Sequence, residues 1–196
     1  MSESQAAPNL RREQISSVEV GHASAGGFAL RSPEPTDAPA MWRLVQDSTL
    51  DSNSPYAYLM LARYFAETCV LAERDGELGG FVSAFIPPEQ PDALFVWQVG
   101  VGPLARGRGL ATQLVAAALA RKVDEGVRFV EATVTPSNSA SLALFRGIAA
   151  KLGTRCKEAP CFAADLFPGN GHEEELLLRI GPFDPSDLSR LTPNPE

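Results

Sequence analysis

Between Leu94 and Ala111 the sequence LFVWQVGVGPLARGRGLA joins an apolar strand, Leu94 to Val101, to a short turn and a long helix. The helix opens at Arg106-Gly107-Arg108-Gly109-Leu110-Ala111. The first amides of a helix lack intrahelical partners, and its dipole favours an anion at that end. Glycines just before the helix let the backbone approach a ligand closely. The unit therefore commits the chain to helices packed on a sheet, with a phosphate-bearing group held where strand gives way to helix. A pyrophosphate fits it.

Three loops of this kind are distinguishable. A P-loop needs Gly-Lys-Ser/Thr, but Gly109 is followed by Leu110. A dinucleotide fingerprint needs a third small position where Thr112 stands and usually opens its domain, whereas this loop follows four predicted strands. The third is an R/Q-x-x-G-x-G/A loop, which Arg106 to Ala111 satisfies in full.

The 196 residues suit one domain with a sizeable core. Residues 1–26 read as a disordered arm, 27–183 as the folded domain and 184–196 as a flexible Pro-rich tail. Strands are expected at Phe28–Arg31, Thr68–Glu73, Gly79–Ile86, Leu94–Val101, Phe129–Val134, Arg155–Phe162 and Glu174–Ile180. Helices are expected after Asp37, from Tyr56 to Phe65, from Leu110 to Glu125 and from Ser137 to Leu152. This order is α/β (α+β), with a mixed central sheet of about six to seven strands flanked by about four helices.

No stretch approaches the roughly 18 apolar residues of a membrane span, and the first residues carry no secretory signal pattern, so a cytoplasmic protein with no membrane partner is expected. The net charge of −7 argues against nucleic acid and suits a cationic small substrate. Cys69, Cys156 and Cys161 form no disulfide framework and no metal motif. His172-Glu173-Glu174-Glu175 begins like a zinc H-E-x-x-H, but Leu176 stands where the second histidine belongs, so no metal is expected.

The loop, its strand-turn-helix setting and the element order from Phe28 to Phe183 resemble the GCN5-related N-acetyltransferases (GNAT). The resemblance implies the GNAT fold and acetyl-CoA as cosubstrate. Amides of Arg106, Gly107, Arg108, Gly109, Leu110 and Ala111 would bind its pyrophosphate, and the backbone of Val99 and Val101 would pair with its pantetheine arm. The segment Thr135-Pro136-Ser137-Asn138-Ser139-Ala140 resembles the family's other coenzyme motif, with Asn138 on the pantetheine or acetyl region; a helix cap is the plainer role for Asn138. Where many members carry a tyrosine that protonates the departing thiolate, this chain has Phe145. Another donor, water or an unprotonated thiolate must then serve.

Within that family, Asp51-Ser52-Asn53-Ser54-Pro55-Tyr56-Ala57-Tyr58 and Gly171-His172-Glu173-Glu174-Glu175-Leu176 resemble the diaminobutyrate acetyltransferases of ectoine biosynthesis. Phe95 to Val99 and Arg179 to Phe183 share the likeness. This implies acetylation of the 4-amino group of L-2,4-diaminobutyrate, a role in osmotic stress and a homodimer. Asp51, Tyr56, Trp97, His172 and Glu175 would line the acceptor pocket, with Glu175 first and His172 second as proton acceptor or ammonium anchor. Each has a plainer role: a turn cap for Asp51, helix packing for Tyr56, strand core for Trp97, a solvated acidic turn for the run from His172. Acetylation of another diamine or a peptide amino terminus, and acyl-CoA sensing without catalysis, are the rival functions.

Overall fold

The computed structural model describes residues 24–192 apart from Gly26, Thr49 and Asn170. The chain runs β1 (Ser24–Ala25), β2 (Phe28–Arg31), α1 (Ala38–Gln46), α2 (Pro55–Tyr64), β3 (Val70–Arg74), β4 (Glu77–Phe85), β5 (Ala93–Val101) and α3 (Leu110–Ala120). It continues through β6 (Phe129–Val134), α4 (Ser139–Lys151), β7 (Cys156–Phe162) and β8 (Glu175–Ile180). Eight strands form one mixed sheet in the order β1-β2-β3-β4-β5-β6-β8-β7. All neighbours are antiparallel except β5 and β6.

Local signals set most boundaries. Ser54 caps α2 by accepting from the Tyr56 amide, with Pro55 at the first helical position. Asp75 and Gly76, at φ 55° and 79°, turn β3 into β4. α3 and α4 pack one face of the sheet around Val70, Val82, Leu94, Val96, Leu114, Val130, Phe145 and Leu178. α1 and α2 pack the other face around Met41, Tyr58, Leu71 and Phe81. Alternation along β3 and β4 feeds both cores, as a strand's period of two requires.

The structure departs from the sequence expectations at three boundaries. Ser24 and Ala25, placed in the arm, pair with Ala29 and Phe28 as an added edge strand; the rest of that arm lies outside the described residues. α3 stops at Ala120, five residues short of Glu125, where Lys122 turns back to donate to Glu67 and Glu125 at 2.7 and 2.8 Å. Within the tail expected over 184–196, residues 193–196 lie outside the described residues and Pro185–Leu191 form a 3-10 helix. Asp184 caps it and Leu191, 1% exposed, joins the core on the α3/α4 side. Its polar composition hides a cap followed by an apolar pair at Leu188 and Leu191.

Candidate active site

The parallel pair β5–β6 is joined only through Ala93, Leu94 and Phe95 against Phe129, Val130 and Glu131. Beyond that point β5 keeps β4 as its neighbour, β6 keeps β8, and the two strands part. The amide of Gly102 donates to Gly79 O on the β4 side at 2.9 Å. Backbone groups two residues apart share an edge. Val99 and Val101 therefore turn their amides and carbonyls toward the opening. A chain with amide groups of its own can pair there as an additional strand would.

Because the strands are parallel, the helices that follow them start at the same end of the sheet. α3 begins beside the opening after Gly107 and Gly109, whose φ values of 72° and 71° lie in the left-handed region. A Cβ built on Gly107 meets nothing within 4 Å, so the loop's outer face is open. The amides of residues 107–112 have no backbone acceptor among the described residues. Leu110 is buried and pins the helix to the core; Arg106 Nε donates to Val101 O at 3.2 Å and ties the loop to β5. Asn138 caps α4, its Oδ1 accepting from the Ser141 amide at 3.0 Å.

The register of β4 against β5 slips between Ser83 and Ala84: Ser83 faces Gln98 and Ala84 faces Val96, so Trp97 is an inserted bulge residue. Trp97 is 42% exposed. Gln98, 7% exposed, donates from Nε2 to Asp51 O at 2.9 Å and accepts at Oε1 from the Tyr58 hydroxyl at 3.0 Å. The loop between α1 and α2 is thereby held against the sheet.

On β8, Leu176, Leu178 and Ile180 face the α3/α4 core. Glu175 accordingly lies on the opposite face, the one that carries α1 and α2. There Asp51, His172 and Glu175 meet, with one carboxylate or imidazole atom from each lying within 4.8 Å of the others. His172 stacks on Phe167 with ring centroids 3.7 Å apart and sets Nδ1 2.6 Å from Glu173 O. Glu173 in turn accepts from Ser137 beside the start of α4. Burial pushes the Glu175 carboxyl up; His172 opposes this and Asp51 reinforces it. Glu175 Oε2 is buried without a partner. A carboxylate in that state attracts a cation and accepts a proton more readily than one in water.

Of the residues singled out in the sequence, Asp51, His172 and Glu175 are thus brought together, and Val99, Val101 and the 106–111 loop line the opening. Tyr56 lies on α2 and is 64% exposed. Phe145 is buried in the α3/α4 core. Sequence reasoning missed Gln98, Tyr58 and Phe167. Gln98 had a signal, since it is the polar residue in the otherwise apolar run Leu94 to Val101.

A sheet that opens beside a strand with free backbone groups, next to a glycine-led helix start, defines an acyl-CoA-dependent transferase. The chain belongs to the acetyltransferase (GNAT) family, which it matches over residues 38–148. It is 54% identical over 158 residues to an L-2,4-diaminobutyric acid acetyltransferase of Halalkalibacterium halodurans, covering 81% of this chain and 84% of that protein. Its identity to the Marinococcus halophilus protein of the same name is 53% over 160 residues, covering 82% and 93%. The solved diaminobutyrate acetyltransferase EctA from Paenibacillus lautus, in complex with L-2,4-diaminobutyric acid and coenzyme A, superposes with a TM-score of 0.76 at 43% identity. That match covers 80% of this chain and 96% of the other.

Proposed function

We propose that the protein transfers the acetyl group of acetyl-CoA to the 4-amino group of L-2,4-diaminobutyrate. The observation that carries this reading is the meeting of Asp51, His172 and Glu175 on the sheet face beside the opened edge of β5. The likeness to proteins named for that reaction supports the choice of acceptor.

The chemistry needs a neutral amine, whereas an alkylammonium titrates near pKa ~10. The trio attracts the ammonium, and Glu175, with His172 beside it, takes the proton directly or through water. The free amine attacks the thioester carbonyl in a ternary complex. Its oxygen gathers negative charge, which the amide of Val99 on the open edge stabilises. The tetrahedral intermediate passes the second amine proton to water and collapses, breaking the carbon–sulfur bond and releasing the CoA thiolate. Phe145 cannot protonate that sulfur, and a thiol of pKa ~8.5 leaves readily as the anion or takes a proton from water. Amides of residues 106–111 hold the pyrophosphate, Val101 pairs with the pantetheine arm beside Val99, and the Asn138 amide group reaches the same arm while Oδ1 caps α4. Trp97 and Tyr56 wall the acceptor pocket.

The deciding experiment incubates the protein with acetyl-CoA and L-2,4-diaminobutyrate, ornithine, lysine or a peptide, and locates the acetyl group by mass and NMR. Acetylation at N4 of diaminobutyrate with the highest kcat/KM is expected; preference for another amine changes the acceptor, and no CoA release makes the protein a sensor. Among the described residues no helix is long and apolar enough to cross a membrane. We also assign the enzyme to the cytoplasm and to a homodimer. Light scattering should return twice the chain mass of 20.9 kDa, and a value of one chain removes that assignment.

A further inference from the structure

We propose that Gln98 is a positioning residue for acetyl transfer: its side-chain amide fixes the acceptor anchor at Asp51 relative to the β5 edge that receives the thioester. The inference rests on the acceptor site described above and assigns a role to a residue outside it. A primary amide inside an apolar strand is costly unless both its ends are bonded. Here both ends are. Nε2 donates to Asp51 O at 2.9 Å and Oε1 accepts from the Tyr58 hydroxyl at 3.0 Å.

The amide has one workable orientation. Reversing it would set its oxygen against the Asp51 carbonyl oxygen, two acceptors with no proton between them. The Asp51 carbonyl thus sets the orientation, and Tyr58 fits it: the side chain is fully buried and burial pushes its phenol up, so the hydroxyl keeps its proton and donates to Oε1. The backbone carries the consequence further. Gln98 is bonded to Val99, whose amide lies on the open edge, so one side chain and one peptide unit separate the acceptor anchor from the oxyanion donor. The bulge at Trp97 makes this possible by turning Gln98 toward the α1/α2 face. Among the described residues of the Asp51 loop, between α1 and α2, there is no helix or strand to set its height above the sheet. Gln98 supplies that reference.

The test is a double-mutant cycle on the full chain with Gln98→Met, which keeps length and removes both bonds, and Asp51→Asn. Gln98→Met is expected to lower kcat/KM for diaminobutyrate by about ten- to a hundredfold while the acetyl-CoA Kd, measured without acceptor, stays within about twofold. In the Asp51→Asn background the same change should cost little, because the anchor it positions is already gone. Tyr58→Phe, milder for folding, should show a smaller loss with the same coupling. Additive losses, or equal losses for both substrates, would make Gln98 a packing residue and overturn the proposal. An Asp51→Asn protein with unaltered diaminobutyrate kinetics would instead remove the acceptor site itself.

Discussion

Val96 and Gln98, two residues apart on one strand, project to opposite faces of the sheet. Val96 packs with Leu94 and Leu114 in the α3/α4 core, while Gln98 bonds to Tyr58 beneath α2. An unbroken strand would place both on one face. The inserted Trp97 reverses the alternation, and the reversal continues: a Cβ on Gly100 would meet Leu44 and Phe81 of the α1/α2 side, and Val99 and Val101 pack toward the other core. The bulge therefore lets one strand hold the Asp51 loop with a side chain while its backbone at Val99 and Val101 faces the opening between β5 and β6.

Replacing Glu175 with Gln should lower kcat by about 10²- to 10⁴-fold, the usual scale for losing a general base, and leave acetyl-CoA affinity within about twofold. Because burial raises the Glu175 pKa, the carboxylate form is lost earlier than in water as pH falls. The wild-type rate should decline on the acid side above the ordinary glutamate range, and this limb should vanish in the Gln variant. Equal losses in turnover and coenzyme affinity would assign Glu175 to structure.

Gly109→Ala should raise the KM for acetyl-CoA about tenfold and cost about 1–2 kcal/mol, since a left-handed φ of 71° strains an L-residue. Space is not the cause. The added Cβ would sit 3.6 Å from Gln113 Nε2, an ordinary contact. Gly109→Asn, which tolerates that conformation better, should recover part of both losses; an alanine variant with unchanged kinetics would remove the loop from coenzyme binding.

Phe145→Tyr should leave the reaction running, with kcat within about threefold, because thiolate departure does not depend on a proton from this position. The hydroxyl enters a core where Phe145 is 4% exposed, so a stability loss of about 1–3 kcal/mol is expected from urea unfolding. A collapse of activity at a temperature where the variant stays folded would show that the ring positions a reacting group.

Leu191→Ala should destabilise the protein by about 2–4 kcal/mol while the kinetic constants of the folded enzyme hold. The side chain is 1% exposed, and its 3-10 helix touches α3 and α4. Unfolding at the wild-type urea midpoint would show the segment to be a dispensable tail.

Elements with self-contained signals were legible in the sequence: the capped α2, the Asp75-Gly76 turn, and the glycine loop that opens α3. The segment from Pro185 to Leu191 was not, because burial of Leu191 depends on α3 and α4, more than thirty residues away. The same holds within the site. Asp51 and the run His172 to Glu175 were recognisable as acceptor candidates, yet Gln98 and Tyr58 read as one polar residue in a strand and one aromatic in a helix. Nothing within a few residues of either shows that they bond to each other or hold a loop.

By itself the sequence determined the strand-loop-helix from Leu94 through the start of α3, since strand period, left-handed glycines and a helix start are properties of adjacent residues. The tertiary structure alone decided where β5 and β6 part and which face receives Asp51, His172 and Glu175. Those features depend on pairing register, and in this protein one inserted residue at Trp97 changes what each later side chain faces.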